Sequence, residues 1–390
     1  MRDFVNKTVS SLQPSGIRKF FDIVQQMEGA ISLGVGEPDF VTPWNIRNAA
    51  VRSIQVGYTQ YTGNRGLSEL RELISRYLKE RFCAEYPADN MIITVGASEA
   101  IDLTLRAVCE AGDEILVPAP SYVSYSPLVT LSGGTPVPVD CTADNDFILT
   151  PEKLERAITK KTKALILAYP NNPTGAVMTA EQLKEIIPVI LKHDLLVISD
   201  EIYAELTYTG KHASIAAFEE MKDRTVLISG FSKAFAMTGW RVGFVCAPKK
   251  IDAAMFKIHQ YAIMCAPQMS QRAAICALKD GFADEFSTVE EMRREYARRG
   301  KYLVNSFNAL GLSCFQPKGA FYVFPSVAST SLTGEEFANR LLESQKVAVV
   351  PGSAFGGAGK YHVRCSYATS MKQLTAAIDR ISEFVASIKR

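Results

Sequence analysis

Met91-Ile-Ile-Thr-Val-Gly-Ala-Ser98 opens the part of the chain from which the fold can be read. A short apolar run gives way at Gly96 to a segment, 97–109, whose apolar residues return at helical spacing. The alternation then repeats. Residues 114–117 form a second apolar run ahead of a helical segment over 122–131, and further runs occupy 135–139, 164–168 and 195–199. Strands joined through helices lie parallel and are buried on both faces, so they read as continuous apolar runs. The pattern predicts an α/β fold with a mostly parallel sheet covered on both sides. Ligands in such sheets collect at the carboxyl ends of the strands.

The residues at those ends carry chemistry. Gly96-Ala97-Ser98 joins the first strand to its helix, so its amides and the helix dipole form a cradle for phosphate. The turn lacks the Gly-x-Gly-x-x-Gly fingerprint of a nicotinamide site. In Tyr169-Pro-Asn-Asn-Pro-Thr-Gly175, two prolines and a glycine fix the backbone and hold Asn172 in a rigid turn, where its amide can donate to a phenolate oxygen. Asp200-Glu-Ile-Tyr203 follows another apolar run. A carboxylate emerging there needs a cation as partner. The rival carboxylate, Glu201, would point to the opposite face of a regular strand.

Two more strands, over 225–229 and 242–247, flank Ser229-Gly-Phe-Ser-Lys-Ala-Phe-Ala-Met-Thr-Gly-Trp-Arg-Val-Gly-Phe244. Lys233 sits there among small, hydroxylated or apolar residues, a poor setting for a solvated ammonium. Burial favours the neutral amine, which is a nucleophile toward aldehydes. Arg241, eight residues on, is a guanidinium placed to hold a phosphate.

The string Ser232-Lys-Ala-Phe-Ala-Met-Thr-Gly-Trp-Arg-Val-Gly243 closely resembles the lysine motif of the class I/II aminotransferases, pyridoxal 5'-phosphate enzymes of fold type I, and further motifs of that family occur in order from Gly34 to Arg364. The resemblance implies a large domain with a mostly parallel sheet of seven-stranded type and a smaller α+β domain. We expect an arm and part of the small domain over 1–45, the cofactor domain over 46–280 and the small domain over 281–390. Lys233 is then the covalent attachment point, and its freed amine moves a proton at the substrate Cα. Asp200 faces the protonated pyridine nitrogen, Asn172 and Tyr203 the ring oxygen, and Tyr122 the face of the ring. The phosphate falls to Gly96, Ala97, Ser98, Arg241 and a hydroxyl of Ser232 or Ser229, because Gly230 stands where many members carry serine. Gly36, Asn172 and Arg364 take the substrate side, Arg364 gripping the α-carboxylate from Tyr361-His-Val-Arg-Cys365. Tyr61 is expected to cross the interface of a homodimer to the phosphate of the other subunit, with Tyr58 as the alternative if the loop register differs.

The rest of the chain adds bounds. Ile17, Phe20, Phe21 and Val24 recur at helical spacing near the start, helical patterns fill 251–310, and Leu374, Ile378, Ile381, Val385 and Ile388 mark a last helix begun at Ser370. Strands are expected over 321–324, 347–350 and 361–365, with Arg364 on the same side as His362. The 43 Lys plus Arg and 41 Asp plus Glu give a net charge of +2, which leaves no basic face for nucleic acid. The eight cysteines include no Cys-x-x-Cys pair and none near a histidine at ligand spacing, so reduced thiols, no metal and a cytoplasmic setting are expected. The apolar run 186–191 is broken by Pro188 and is too short to span a membrane.

The function these residues imply is transamination between an amino acid and a 2-oxo acid. Its rivals are a β-elimination on the same fold and a non-enzymatic cofactor sensor; no basic helix-turn-helix segment that would serve the sensor precedes residue 30. Bacterial aspartate, aromatic and N-acetyl-diaminopimelate aminotransferases share these motifs. For the distal end of the substrate, the loop 259–265 offers histidine, glutamine and tyrosine, while Ile17, Tyr61 and Tyr122 offer apolar surface. Glutamate and 2-oxoglutarate are therefore expected alongside a neutral or aromatic amino acid, without strict preference for aspartate.

Overall fold

The computed structural model describes residues 2, 4–14 and 27–388, and the helix expected around Ile17, Phe20, Phe21 and Val24 lies outside them. After α1 (Lys7–Ser11) and β1 (Ile31–Ser32) come two helices, α2 (Trp44–Gln55) and α3 (Ser68–Phe82). Strands and helices then alternate: β2 (Met91–Thr94), α4 (Gly96–Val108), β3 (Glu114–Ala119), α5 (Tyr125–Leu131), β4 (Thr135–Asp140), α6 (Pro151–Ala157), β5 (Thr162–Ala168), α7 (Ala180–Lys192) and β6 (Leu196–Asp200). The lysine loop lies between β7 (Thr225–Gly230) and β8 (Gly243–Cys246), and three helices follow, α8 (Lys249–Ala262), α9 (Gln268–Asp284) and α10 (Ser287–Ala309). The remainder holds β9 (Tyr322–Val323), α11 (Gly334–Gln345), β10 (Val347–Ala348), β11 (Val350–Pro351), β12 (Val363–Ser366) and α12 (Met371–Ile388).

Seven strands form one sheet in the order β2-β8-β7-β6-β5-β3-β4. Strands β4, β3, β5, β6 and β7 pair in parallel, while β8 runs antiparallel to both of its neighbours. The cause is the connection. No crossover helix separates β7 from β8, so the chain can only turn back. Strand β5 shows why the apolar runs are unbroken: Ala164 and Ile166 pack with Ile101 and Leu105 of α4, and Leu165 and Leu167 pack with Leu183, Ile187 and Ile190 of α7. A fully buried Leu or Ile contributes about 1.5–3 kcal/mol. These two apolar layers fix the sheet and hence the strand ends.

The smaller sheets join distant parts of the chain. Strand β1 pairs in parallel with β10, and β11-β12-β9 form an antiparallel sheet. The run 347–350 thus serves two sheets instead of forming one strand. Strand β12 begins only at Val363; the His362 ring stacks on Phe324, with centroids 4.8 Å apart, and does not continue the strand toward the cavity. The loop after β1 is anchored by Arg299 of α10, whose Nη1 lies 2.9 Å from both carboxylate oxygens of Asp39. Among the described residues, no helix is long and apolar enough to cross a membrane.

Candidate active site

A cavity of about 360 Å³ opens where β5, β6 and β7 end and α4 begins. Gly36, Ala97, Ser98, Tyr122, Asn172, Asp200, Tyr203, Ser232, Lys233, Arg241 and Arg364 all line it. Residues 330 positions apart meet here, since Arg364 Nη2 donates to the Gly34 carbonyl at 2.6 Å.

Lys233 follows the end of β7, and its Nζ donates to the Gly36 carbonyl at 2.7 Å. Burial lowers its pKa to about 8; Arg364 and Arg241 push the same way, against Glu37 and Asp200. Asp200, at the end of β6, is buried. Burial pushes its carboxyl above the usual range, opposed by hydrogen bonds from the Tyr125 hydroxyl (2.8 Å) and the Ile202 amide (3.1 Å). A carboxylate so placed is stabilised by a cation entering the cavity. Glu201 points away, as strand geometry requires, and is occupied by Ser199, Ser214 and His212.

At one end of the cavity, Gly96 has φ +75 and packs against Arg241 so closely that a Cβ there would lie 2.5 Å from Nη2. Arg241 is itself held at φ +50, a strained conformation for a residue with a side chain. Of the two candidate serines, Ser232 lines the cavity, whereas Ser229 donates to the Glu201 carbonyl. At the other end, Arg364 is buried, with its guanidinium carbon 4.6 Å from the Tyr322 ring centroid and 4.9 Å from that of Phe355. Nη1 donates to Asn172 Oδ1 at 3.0 Å, which leaves the Asn172 amide hydrogens for a ligand, and among the described residues Nε has no partner.

The remaining expectations divide. Tyr61 does not line the cavity; it is 78% exposed on the loop after α2. Tyr58 is half-exposed, its ring lying under Arg272. His259 is not offered to a substrate. It belongs to α8, is fully buried and binds Glu99, because α8 extends to Ala262 where a loop was expected. Among the lining residues that were missed, three bear directly on the polar groups of the site. Tyr125 binds Asp200, Tyr322 shares a 2.8 Å hydrogen bond with the Tyr203 hydroxyl, and Glu37 faces Lys233. Tyr322 lies in a run that reads as an ordinary strand, and its role follows only from the approach of Gly36, where a Cβ would stand 2.9 Å from the tyrosine oxygen.

These groups fit pyridoxal 5'-phosphate. A low-pKa amine suits its aldehyde, a buried carboxylate suits its ring nitrogen, and the turn at Gly96 with Arg241 suits its phosphate. Comparison with known proteins agrees. The family profile "Aminotransferase class I and II" matches residues 28–381. The chain is 54% identical, over 99% of both chains, to the "Putative aminotransferase YugH" of Bacillus subtilis (strain 168). It is 46% identical to an aspartate aminotransferase of Pyrococcus abyssi over 97% of each chain. The structure of aspartate aminotransferase from Thermus thermophilus with maleate superposes with a TM-score of 0.93 at 36% identity, covering 98% of this chain and 100% of the other. The chain belongs to the class I and II aminotransferases, pyridoxal-phosphate-dependent enzymes that move an amino group from an amino acid to a 2-oxo acid.

Proposed function

We propose that this aminotransferase pairs glutamate and 2-oxoglutarate with a neutral or aromatic amino acid, and that it works as a homodimer with shared active sites. One observation carries the substrate reading: among the described residues, the only cationic side chains lining the cavity are Lys233, Arg241 and Arg364. Lys233 is the attachment point and Arg241 the phosphate partner. Arg364 takes the α-carboxylate in two-pronged geometry. No fixed guanidinium is left for a side-chain carboxylate, while Tyr122 and Tyr322 offer aromatic surface. Relatives are compatible with breadth: an aromatic-amino-acid aminotransferase of Thermococcus litoralis is 44% identical over 97% of both chains.

Within the site, Asp200 sustains the charge on the ring nitrogen, Asn172 and Tyr203 donate at the ring oxygen, and Tyr122 covers the ring. Ala97, Ser98, Ser232 and Arg241 hold the phosphate, with Gly96 allowing their close approach and Tyr61 of a second copy completing the set. Gly36 leaves room for the substrate carboxylate beside Arg364. Bound there, pyridoxal phosphate supplies the electron sink. Lys233 removes and returns the proton at the substrate Cα, a task suited to an amine with a pKa of about 8.

Exposed apolar side chains support the dimer. Trp44, Val51 and Ile54 on α2, Val56 and Tyr61 on the next loop, and Ile263 and Met264 after α8 lie open on one chain. The last two groups adjoin, since Asn64 donates to the Met264 carbonyl. A surface of this kind calls for a covering partner. Pairing of β1 with β10 supports the division into 46–280 and 281–390, with 1–45 joining the small domain in part.

Steady-state comparison of aspartate, phenylalanine and alanine as donors to 2-oxoglutarate tests the substrate reading. We expect kcat/KM values of similar order for the three. An advantage for aspartate above ~10⁴, roughly 5.5 kcal/mol, requires a dedicated cation and overturns the proposal.

A further inference from the structure

The turn 95–97 that begins α4 is held from three sides. Arg241 lies against Gly96 on the first. Gly243 of β8 closes the second, where a Cβ would stand 2.7 Å from the Ala97 nitrogen. The third is Glu99, in the first turn of α4. One of its carboxylate oxygens accepts the Val95 N–H, and the other is 2.7 Å from His259 Nδ1. His259 stands in the last turn of α8, fully buried, and its Nε2 has no partner among the described residues.

We propose that Glu99 and His259 form a positioning pair that fixes this turn for the cofactor phosphate. A carboxylate at a helix N-terminus ordinarily satisfies the dipole itself. Here the N-terminus is reserved for a dianion, and an unengaged carboxylate would both repel it and compete for the free amides of the first turn. Val95 and His259 occupy both oxygens of Glu99, which leaves the first-turn amides at Ala97 and Ser98 to the cavity those residues line. The buried imidazole also ties α4 to α8, so a shift of either helix would move the cradle.

The inference rests on the reading of the Gly96 turn as the phosphate site, and the test separates the two. Full-length apoenzyme is titrated with pyridoxal 5'-phosphate and with pyridoxal, which lacks the phosphate, and the ratio of the two dissociation constants is read. Wild type is expected to prefer the phosphorylated ligand by at least about a hundredfold, roughly 2.7 kcal/mol. If it does not, the phosphate reading fails whatever the pair does. In His259→Phe, which keeps a ring in the buried space, the preference is expected to fall about tenfold while pyridoxal binding changes by less than about twofold. His259→Asn keeps a donor at the Nδ1 position and is expected to restore most of the preference. Glu99→Met approaches the pair from α4 and must reproduce the selective loss; it decides the question if His259→Phe does not fold. An equal loss for both ligands, or an unchanged preference in the folded variants, overturns the pair.

Discussion

Lys233 is costly to keep where it is. Its pKa of about 8 in the fold lies below the ordinary 10.5, so below pH 8 both folded and unfolded chains carry the charge and the whole desolvation penalty is present. Between pH 8 and 10.5 the unfolded chain holds a proton that the folded one has released, and stability rises. The penalty is at most on the order of 3 kcal/mol, reduced by the water that reaches the cavity. We therefore expect apo Lys233→Met to be more stable than wild type at pH 7, the gain fading toward pH 10.5 in denaturant titrations; a loss of stability at pH 7 contradicts this. Asp200→Ala is expected to keep the cofactor through the phosphate end yet lose at least a hundredfold in kcat, since losing one partner of a buried charge pair costs ~3–5 kcal/mol. Near-normal turnover would rule out its role. Tyr125→Phe removes a hydrogen bond that holds the Asp200 carboxyl down. The carboxylate then takes up its proton at higher pH, and the acid limb of the kcat profile should move up by about one pH unit, ~1.4 kcal/mol. Lys233 and Asp200 could be read from sequence because a charged residue in an apolar run is conspicuous. Tyr125 and Tyr322 could not, because a lone tyrosine, whether between two serines or in an apolar strand, reads as ordinary packing.

At the level of elements, the turn from β2 into α4 depends on the bare backbone of β8. Gly243→Ala would drive a Cβ to 2.7 Å from the Ala97 nitrogen and 2.7 Å from the Gly96 carbonyl carbon. We expect a loss of ~1–3 kcal/mol in thermal unfolding together with weaker cofactor binding. Gly239→Ala, with open space around it, should cost less than about 0.5 kcal/mol. Equal effects would contradict the packing account. The parallel strands were legible because burial on both faces leaves a continuous apolar run. The reversed direction of β8 and the late start of β12 were not, since direction and register are set by partners far off in sequence. The α5 helix begins at Tyr125, three residues after the expected Tyr122, because 121–124 form the turn that brings Tyr122 into the cavity.

For the whole molecule, the exposure of Tyr61 at 78% sets the experiment. A hybrid of a Tyr61→Phe subunit with a Lys233→Ala subunit contains one site free of both changes. Such hybrids should recover wild-type cofactor affinity and turnover in half of their sites, and hybrids as inactive as the Lys233→Ala parent would exclude shared sites. The overall class of the molecule was readable from motif order. Its interface was hinted at only by a tyrosine loop, since nothing in a single chain shows what covers a surface.

The pairing of β1 with β10, and the hold of Arg364 on Gly34, also order events in time. A ribosome delivers the seven-stranded sheet in full by Cys246, long before Val347 or Arg364 emerges. Residues 31–34 leave the exit tunnel early yet wait for partners made near the end of translation. Lys233 and the Gly96 turn can thus assemble on an unfinished chain in which Arg364, the guanidinium proposed to grip a substrate carboxylate, has yet to appear. Pulse proteolysis of arrested nascent chains should find the large sheet protected first and residues 31–34 last.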